Sequence, residues 1–82
     1  MIPLTIYSRP GCHLCDEMEA IIARVALTIP LTLERIDIST DAALEARYGL
    51  EIPVLMIDGK KAVKYRVTEE ELVRILRGRA GG

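Results

Sequence analysis

Tryptophan and phenylalanine are both missing from these 82 residues, and three tyrosines supply all the aromatic character. The core must therefore be aliphatic, built from Leu, Ile and Val. The aromatic platforms on which single-stranded nucleic acid stacks are lacking. A strong charge of either sign is lacking too. Eleven basic residues against twelve acidic ones leave a net charge of -1, whereas a nucleic-acid-binding domain is normally far more basic. No apolar run is long enough to span a bilayer, which takes about 20 residues. The most apolar stretch, from Ile21 to Leu33, is interrupted by Arg24, Pro30 and Thr32. The opening Met1-Ile2-Pro3-Leu4-Thr5-Ile6-Tyr7 carries no basic leader segment. A soluble cytoplasmic protein with no membrane or nucleic-acid partner is expected, and nothing calls for an obligate interface, so a monomer is expected as well.

Half of the residues are hydrophobic and 28% are charged, a balance that folds and stays soluble. The length admits one domain, and a chain this short buries only about 60–65% of the surface it exposes when unfolded. The domain is placed at residues 1–78, with Arg79-Ala80-Gly81-Gly82 as a flexible tail. A terminal Gly-Gly also occurs in ubiquitin-like modifiers, but those open with a β-hairpin, and this chain does not read that way.

Hydrophobic spacing orders the elements. Ile2 to Tyr7 reads as a buried strand, stopped by Ser8-Arg9-Pro10-Gly11. Leu14 or Cys15, Met18, Ile21 or Ile22, and Val25 recur at helical spacing before Pro30. Leu31 to Ile38 reads as a second strand, and Ala42 to Tyr48 as a short helix with N-cap oxygens from Ser39-Thr40-Asp41 and Gly49 at its close. Pro53 to Ile57 is an apolar run, Asp58-Gly59 a hairpin turn, and Lys60 to Tyr65 the returning edge strand. Thr68-Glu69-Glu70-Glu71 is a capping box for a helix with Leu72, Ile75 and Leu76 inward, ending at Gly78. The order β-α-β-α-β-β-α predicts an α/β fold: a small four-stranded mixed sheet flanked by three helices.

Only two cysteines remain, Cys12 and Cys15. As a staple they would close a tiny loop, and the entropic benefit of a disulfide grows with loop length. The pair therefore points to chemistry. At the start of a helix, positions i and i+3 share a face about 5–6 Å apart between Cβ atoms, close to what a disulfide needs. Such a pair opens and closes without refolding the domain. Cys12 falls at the helix N-terminus, where free N–H groups and the dipole favour a thiolate. Arg9 and His13 add to that tendency and Asp16 opposes it. Cys15, one turn in, is expected to be the more buried, resolving thiol. Cys12 then attacks a substrate disulfide and Cys15 releases the product. Metal is the competing use of these residues. Cys12, His13 and Cys15 number three where structural zinc takes four, and neighbouring Cys12 and His13 strain to reach one ion, so no metal site is assigned. Met18 and Met56 are read as packing residues.

The segment Tyr7-Ser8-Arg9-Pro10-Gly11-Cys12-His13-Leu14-Cys15, between a strand and a helix, resembles the active-site segment of glutaredoxins. Ile52-Pro53-Val54-Leu55, just before a hairpin, resembles the cis-proline segment of the thioredoxin superfamily. Together with the element order, the resemblance covers about residues 2–78, and it is nearest to the short glutaredoxin-like proteins with a Cys-His-Leu-Cys site. It implies a thioredoxin/glutaredoxin-like fold and a small thiol–disulfide oxidoreductase, active in electron transport, with Cys12 and Cys15 catalytic. It also implies a cis bond before Pro53, with Ile52 and Pro53 shaping a substrate groove that Arg9, Gly11 and His13 border. No cofactor is expected to be bound. Glutathione is the candidate reductant or co-substrate, and protein disulfides or glutathione mixed disulfides are the candidate partners. The alternative is a module that binds a metal or an iron–sulfur cluster, shared between two copies through Cys12, without reductase activity. Departures from the family pattern fall on substrate positions. Gly11 stands where an aromatic residue is usual, Glu51-Ile52-Pro53 replaces Thr-Val-Pro, and Tyr65-Arg66-Val67-Thr68 replaces the Gly-Gly-Asp segment that holds one end of glutathione. Arg9 fits a basic glutathione-contacting position, and Arg47 is a candidate for another.

Overall fold

Alternation along the first strand decides where the core forms. In the computed structural model, which describes residues 1–80, strand β1 (Ile2–Ser8) buries Leu4 and Ile6 on one face and turns Thr5 and Tyr7 to the other. It pairs in parallel with β2 (Leu31–Asp37), from Ile2 opposite Leu31 to Ser8 opposite Asp37. On its other side it pairs antiparallel with β3 (Val54–Ile57), from Leu4 opposite Ile57 to Tyr7 opposite Val54. Strand β4 (Lys60–Lys64) completes a four-stranded mixed sheet of order β2-β1-β3-β4. The lysines of β4 therefore lie on an edge, where charge discourages further pairing.

Helices cover both faces. Helix α1 (His13–Val25) directs Cys15, Met18, Ile22 and Val25 inward, spaced three or four apart. Met18, Ile22 and Val25 meet Leu4, Ile6, Leu55 and Ile57 of the sheet and Leu72 and Leu76 of α3 (Glu69–Ala80) in the larger core. Helix α2 (Ala42–Tyr48) covers the other face, where Ile38, Tyr48 and Val54 form a second cluster. There the Tyr7 and Tyr48 rings stack with centroids 4.7 Å apart.

Local chemistry sets the boundaries. The Asp41 carboxylate accepts hydrogen bonds from the N–H groups of Ala43 and Leu44 and caps α2. The Thr68 hydroxyl accepts from Glu71 N–H while the Glu71 carboxylate accepts from Thr68 N–H, the reciprocal bonds of a capping box. Asp58 and Gly59 take φ of 52° and 77°, the left-handed pair that a two-residue hairpin requires. Two of the ends that depart from the sequence expectation have a local cause. β2 stops at Asp37, because its carboxylate accepts from the Ser39 amide and hydroxyl and winds Ile38–Thr40 into one 3₁₀ turn. Helix α3 continues past Gly78 to Ala80, because Gly78 does not take the left-handed conformation that stops a helix. The expected tail at 79–82 is thus helical through Ala80, and residues 81–82 lie outside the described ones. Among the described residues no helix is long and apolar enough to cross a membrane.

Leu55 is fully buried in an inner strand. Leu55→Ala is expected to cost about 3 kcal/mol, a large share of the roughly 5–10 kcal/mol available to so small a domain. Urea denaturation with an unchanged m-value checks this.

Candidate redox site

β1 delivers the chain to the site through one tight turn. Cys12 N–H donates to the Arg9 carbonyl at 3.3 Å, with Pro10 and Gly11 at the turn's centre. Proline presets the second position, and Gly11 at φ 79° supplies the left-handed third. The turn leaves Cys12 as the N-cap of α1 in extended conformation, and its sulfur accepts a hydrogen bond from Cys15 N–H at 3.1 Å. One of the unpaired amides of the first helical turn is thereby satisfied by sulfur. Cys12 and Cys15 are joined in a disulfide with Cα atoms 5.2 Å apart. Cys12 is half-buried, whereas Cys15 is only 2% exposed.

The same end of the sheet carries the Ile52–Pro53 segment. Tyr7 opposite Val54 is the last pair of the β1–β3 ladder, so Pro53 follows beside Ser8. The Ile52–Pro53 peptide bond is cis, Pro53 is buried, and its carbonyl accepts from Tyr65 N–H at 2.9 Å. Tyr65 has φ 68°, and Arg66 N–H donates to the Lys64 carbonyl at 2.8 Å, which makes Tyr65 the centre of a three-residue γ-turn. A non-glycine residue pays about 1–2 kcal/mol for that conformation. The Tyr65 ring is nevertheless 44% exposed.

Two cavities flank the cysteines. One of about 250 Å³ lies between α1 and the segment leading into α3, lined by Leu14, Met18, Ile21, Tyr65 and Val67 with Arg66, Glu17 and Glu71 at its charged margin. The other, about 290 Å³, lies beyond the Ser8–Gly11 turn and is walled by Asp16, Glu19, Arg35 and Asp37. There Arg35 and Glu19 are ion-paired, and the Ser39 hydroxyl and amide hold the Asp37 carboxyl below its usual range.

The charged residues singled out in the sequence are largely engaged with the protein itself. Arg9 reaches from the cysteine turn to α2, pairing with Glu45 at 3.0 Å and donating to the Gly49 carbonyl at 2.6 Å. Gly49 has a right-handed φ of -53°; glycine is needed there for space, since an added Cβ would meet the Glu45 carbonyl oxygen at 2.5 Å. His13 points outward, 87% exposed, with Nε2 3.1 Å from Glu17. The Arg47 guanidinium lies over the Tyr48 ring. Glu51, the carboxylate beside Ile52-Pro53, is bonded to Lys61 on β4, and that hydrogen bond lowers its pKa. Gly11 is exposed and Ile52 half-buried. Among the described residues no group of three or more His, Cys, Asp or Glu side chains is placed to hold a metal ion.

Sequence reasoning passed over Leu14, Leu50 and Tyr65 as site residues. Leu50 is 94% exposed in the loop leading to Ile52-Pro53, and an apolar residue between Gly49 and Glu51 was a legible signal. Tyr65 reads by spacing as the end of a strand, and its signal was the resemblance, which sets Tyr65-Arg66-Val67-Thr68 where glutaredoxins hold one end of glutathione.

The family model described as "Glutaredoxin-like domain (DUF836)" matches residues 3–77. The chain belongs to this glutaredoxin-like family, within the thioredoxin superfamily. A curated glutaredoxin-like protein from Dictyostelium discoideum is 34% identical over 77 residues, spanning 87% of this chain and 71% of that one. The solved structure of target protein XcR50 from X. campestris superposes with a TM-score of 0.79 at 32% identity, covering 92% of this chain and 96% of the other. A thioredoxin from Halobacterium salinarum, with a TM-score of 0.66 at 23% identity over 94% of this chain and 73% of its own, shares the fold. In a glutaredoxin-like domain of this fold, the Cys12–Cys15 pair supports a redox-type role.

Arg9 acts here as a clamp between the cysteine turn and α2. Arg9→Ala is expected to lower stability by about 1 kcal/mol in urea denaturation. Stability unchanged by the substitution would contradict the clamp.

Proposed function

We propose that the chain is a small thiol–disulfide oxidoreductase that reduces or exchanges disulfides through Cys12 and Cys15. The observation that carries this reading is the asymmetry of the pair: a half-exposed Cys12 sulfur with a helix-N-terminal amide aimed at it, backed by a buried Cys15. That amide stabilises a thiolate once the pair is reduced, because it donates a hydrogen bond to charged sulfur. Arg9 is committed to Glu45 and Gly49 and His13 faces Glu17, so the helix N-terminus provides the main activation.

The cycle balances within the pair. Cys12 thiolate attacks one sulfur of the substrate disulfide; a Cys12–substrate S–S bond forms, the substrate S–S bond breaks, and the departing thiolate takes a proton from water. Cys15, deprotonated, then attacks the Cys12 sulfur, releasing the second substrate thiol and closing the Cys12–Cys15 disulfide. Two electrons pass to the substrate, and a thiol reductant, with glutathione the candidate, restores the pair. No bound cofactor takes part.

Ile52 supports the placing of the substrate groove. Its main-chain N–H and carbonyl make no hydrogen bond among the described residues, so they are open to an extended substrate segment. Pro53 fixes the groove wall behind it, Gly11 leaves the approach to Cys12 clear of a side chain, and His13 stands at the mouth. The exposed apolar residues Leu50 and Tyr65 on either side of this segment favour a protein disulfide over a small hydrophilic one. The chain acts as a monomer in a reducing compartment such as the cytoplasm, where an open dithiol is maintained.

Trapping the intermediate tests the assignment. Cys15→Ser is expected to accumulate a substrate adduct on Cys12, seen by mass spectrometry, whereas Cys12→Ser forms none and reduces nothing. Full activity in Cys12→Ser with loss in Cys15→Ser would invert the roles. An inert wild-type protein would end the oxidoreductase reading.

A further inference from the structure

The Tyr65 backbone is strained and its side chain gains little burial in return. Its φ of 68° is one that glycine adopts freely, its ring is 44% exposed, and its hydroxyl makes no hydrogen bond among the described residues. Two main-chain bonds hold it there, its own N–H to the Pro53 carbonyl and Arg66 N–H to the Lys64 carbonyl. The Lys64 ammonium lies over one part of the ring, 5.4 Å from its centroid, and the ring otherwise faces a cavity rather than the core, so strain held in place by its surroundings points to use of the side chain.

The ring has a specific setting. It lines the cavity of about 250 Å³ together with Met18, Ile21 and Leu14, the last of which lies between the two cysteines. The Ile52 main chain is adjacent, one hydrogen bond beyond Tyr65 through Pro53. Leu14, Met18, Ile21 and Val67 supply the cavity's apolar lining. At the margin, Glu17 is taken by His13 and Glu71 by the Thr68 amide, while Arg66 makes no ion pair among the described residues. Glu17, Glu71 and Arg66 thus put both signs of charge on the margin, and the apolar lining is the feature left to a ligand.

We propose that Tyr65 is a specificity-determining residue: with Leu14, Met18 and Ile21 it receives an apolar side chain adjoining the cysteine of a protein disulfide. The proposal rests on the oxidoreductase reading. Glutathione has no apolar side chain for the cavity, so it is the poorer substrate. The covalent step is unchanged: Cys12 thiolate displaces one peptide thiolate and forms the Cys12–peptide disulfide.

The test uses Cys15→Ser protein and the symmetrical disulfides of two short peptides, one with Leu beside its cysteine and one with Ser. Rates of adduct formation on Cys12 are read by quenched mass spectrometry, with glutathione disulfide as a third substrate. The Leu peptide is expected to react about tenfold faster than the Ser peptide, the usual value of one filled apolar pocket. Tyr65→Gly, which relaxes the backbone and so endangers no folding, is expected to bring that ratio to within about twofold. The ratio cancels any effect of the substitution on Cys12 itself. A ratio near one in the parent protein, or one unchanged by Tyr65→Gly, overturns the proposal. Failure of all three disulfides to form an adduct overturns the oxidoreductase reading and this proposal with it.

Discussion

The hydrogen bond from Cys15 N–H to Cys12 Sγ, 3.1 Å long, is the interaction around which the rest of the structure is arranged. It exists because Cys12 is the N-cap of α1, so that sulfur takes the place usually filled by a serine or aspartate oxygen. The N-cap position in turn depends on the Pro10-Gly11 turn, and the turn depends on β1 being an inner strand, paired on both sides and rigid up to Ser8. Leu4 and Ile6 anchor that strand in the core. Burial of an aliphatic strand thus holds one sulfur at the end of a helix, half open to solvent.

The surroundings of this sulfur divide into two unlike halves. Toward β2 and α2 the charges are satisfied internally: Arg9 on Glu45 and Gly49, Arg35 on Glu19, Asp37 on Ser39. These contacts stiffen the turn. Toward the Ile52-Pro53 segment and α3 the surface is more apolar and less committed, with Leu14, Leu50 and Tyr65 exposed or lining a cavity and the Ile52 main chain without a hydrogen bond among the described residues. Rigidity on one side and open apolar surface on the other are what a site needs if it is to hold its sulfurs still while accepting a disulfide on another chain.

Most of the scaffold was legible because its signals are local. Helical spacing from Cys15 to Val25, the Asp58-Gly59 turn and the Thr68–Glu71 capping box each involve residues a few positions apart, and each recurs in the fold as read. The cysteine pair was legible for the same reason: three-residue spacing at a helix start has one geometric consequence. What escaped the sequence depends on partners far along the chain. Arg9 meets Glu45 and Gly49 only because α2 folds back over the second face, and Tyr65 enters a left-handed turn because Pro53 supplies its acceptor. The end of α3 escaped for a different reason. A glycine permits a stop without imposing one, and Gly78 keeps the helix.

The central claim is that Cys12 and Cys15 form a reversible couple in an otherwise unchanging fold. Equilibrating the protein across a series of glutathione to glutathione-disulfide ratios, trapping free thiols by alkylation and weighing the products by mass spectrometry tests this most directly. The account predicts a reversible loss of two hydrogens confined to Cys12 and Cys15, following the poise of the buffer with a single midpoint. Thiols that stay free at every ratio, or that stay blocked until a chelator removes a metal, would contradict it.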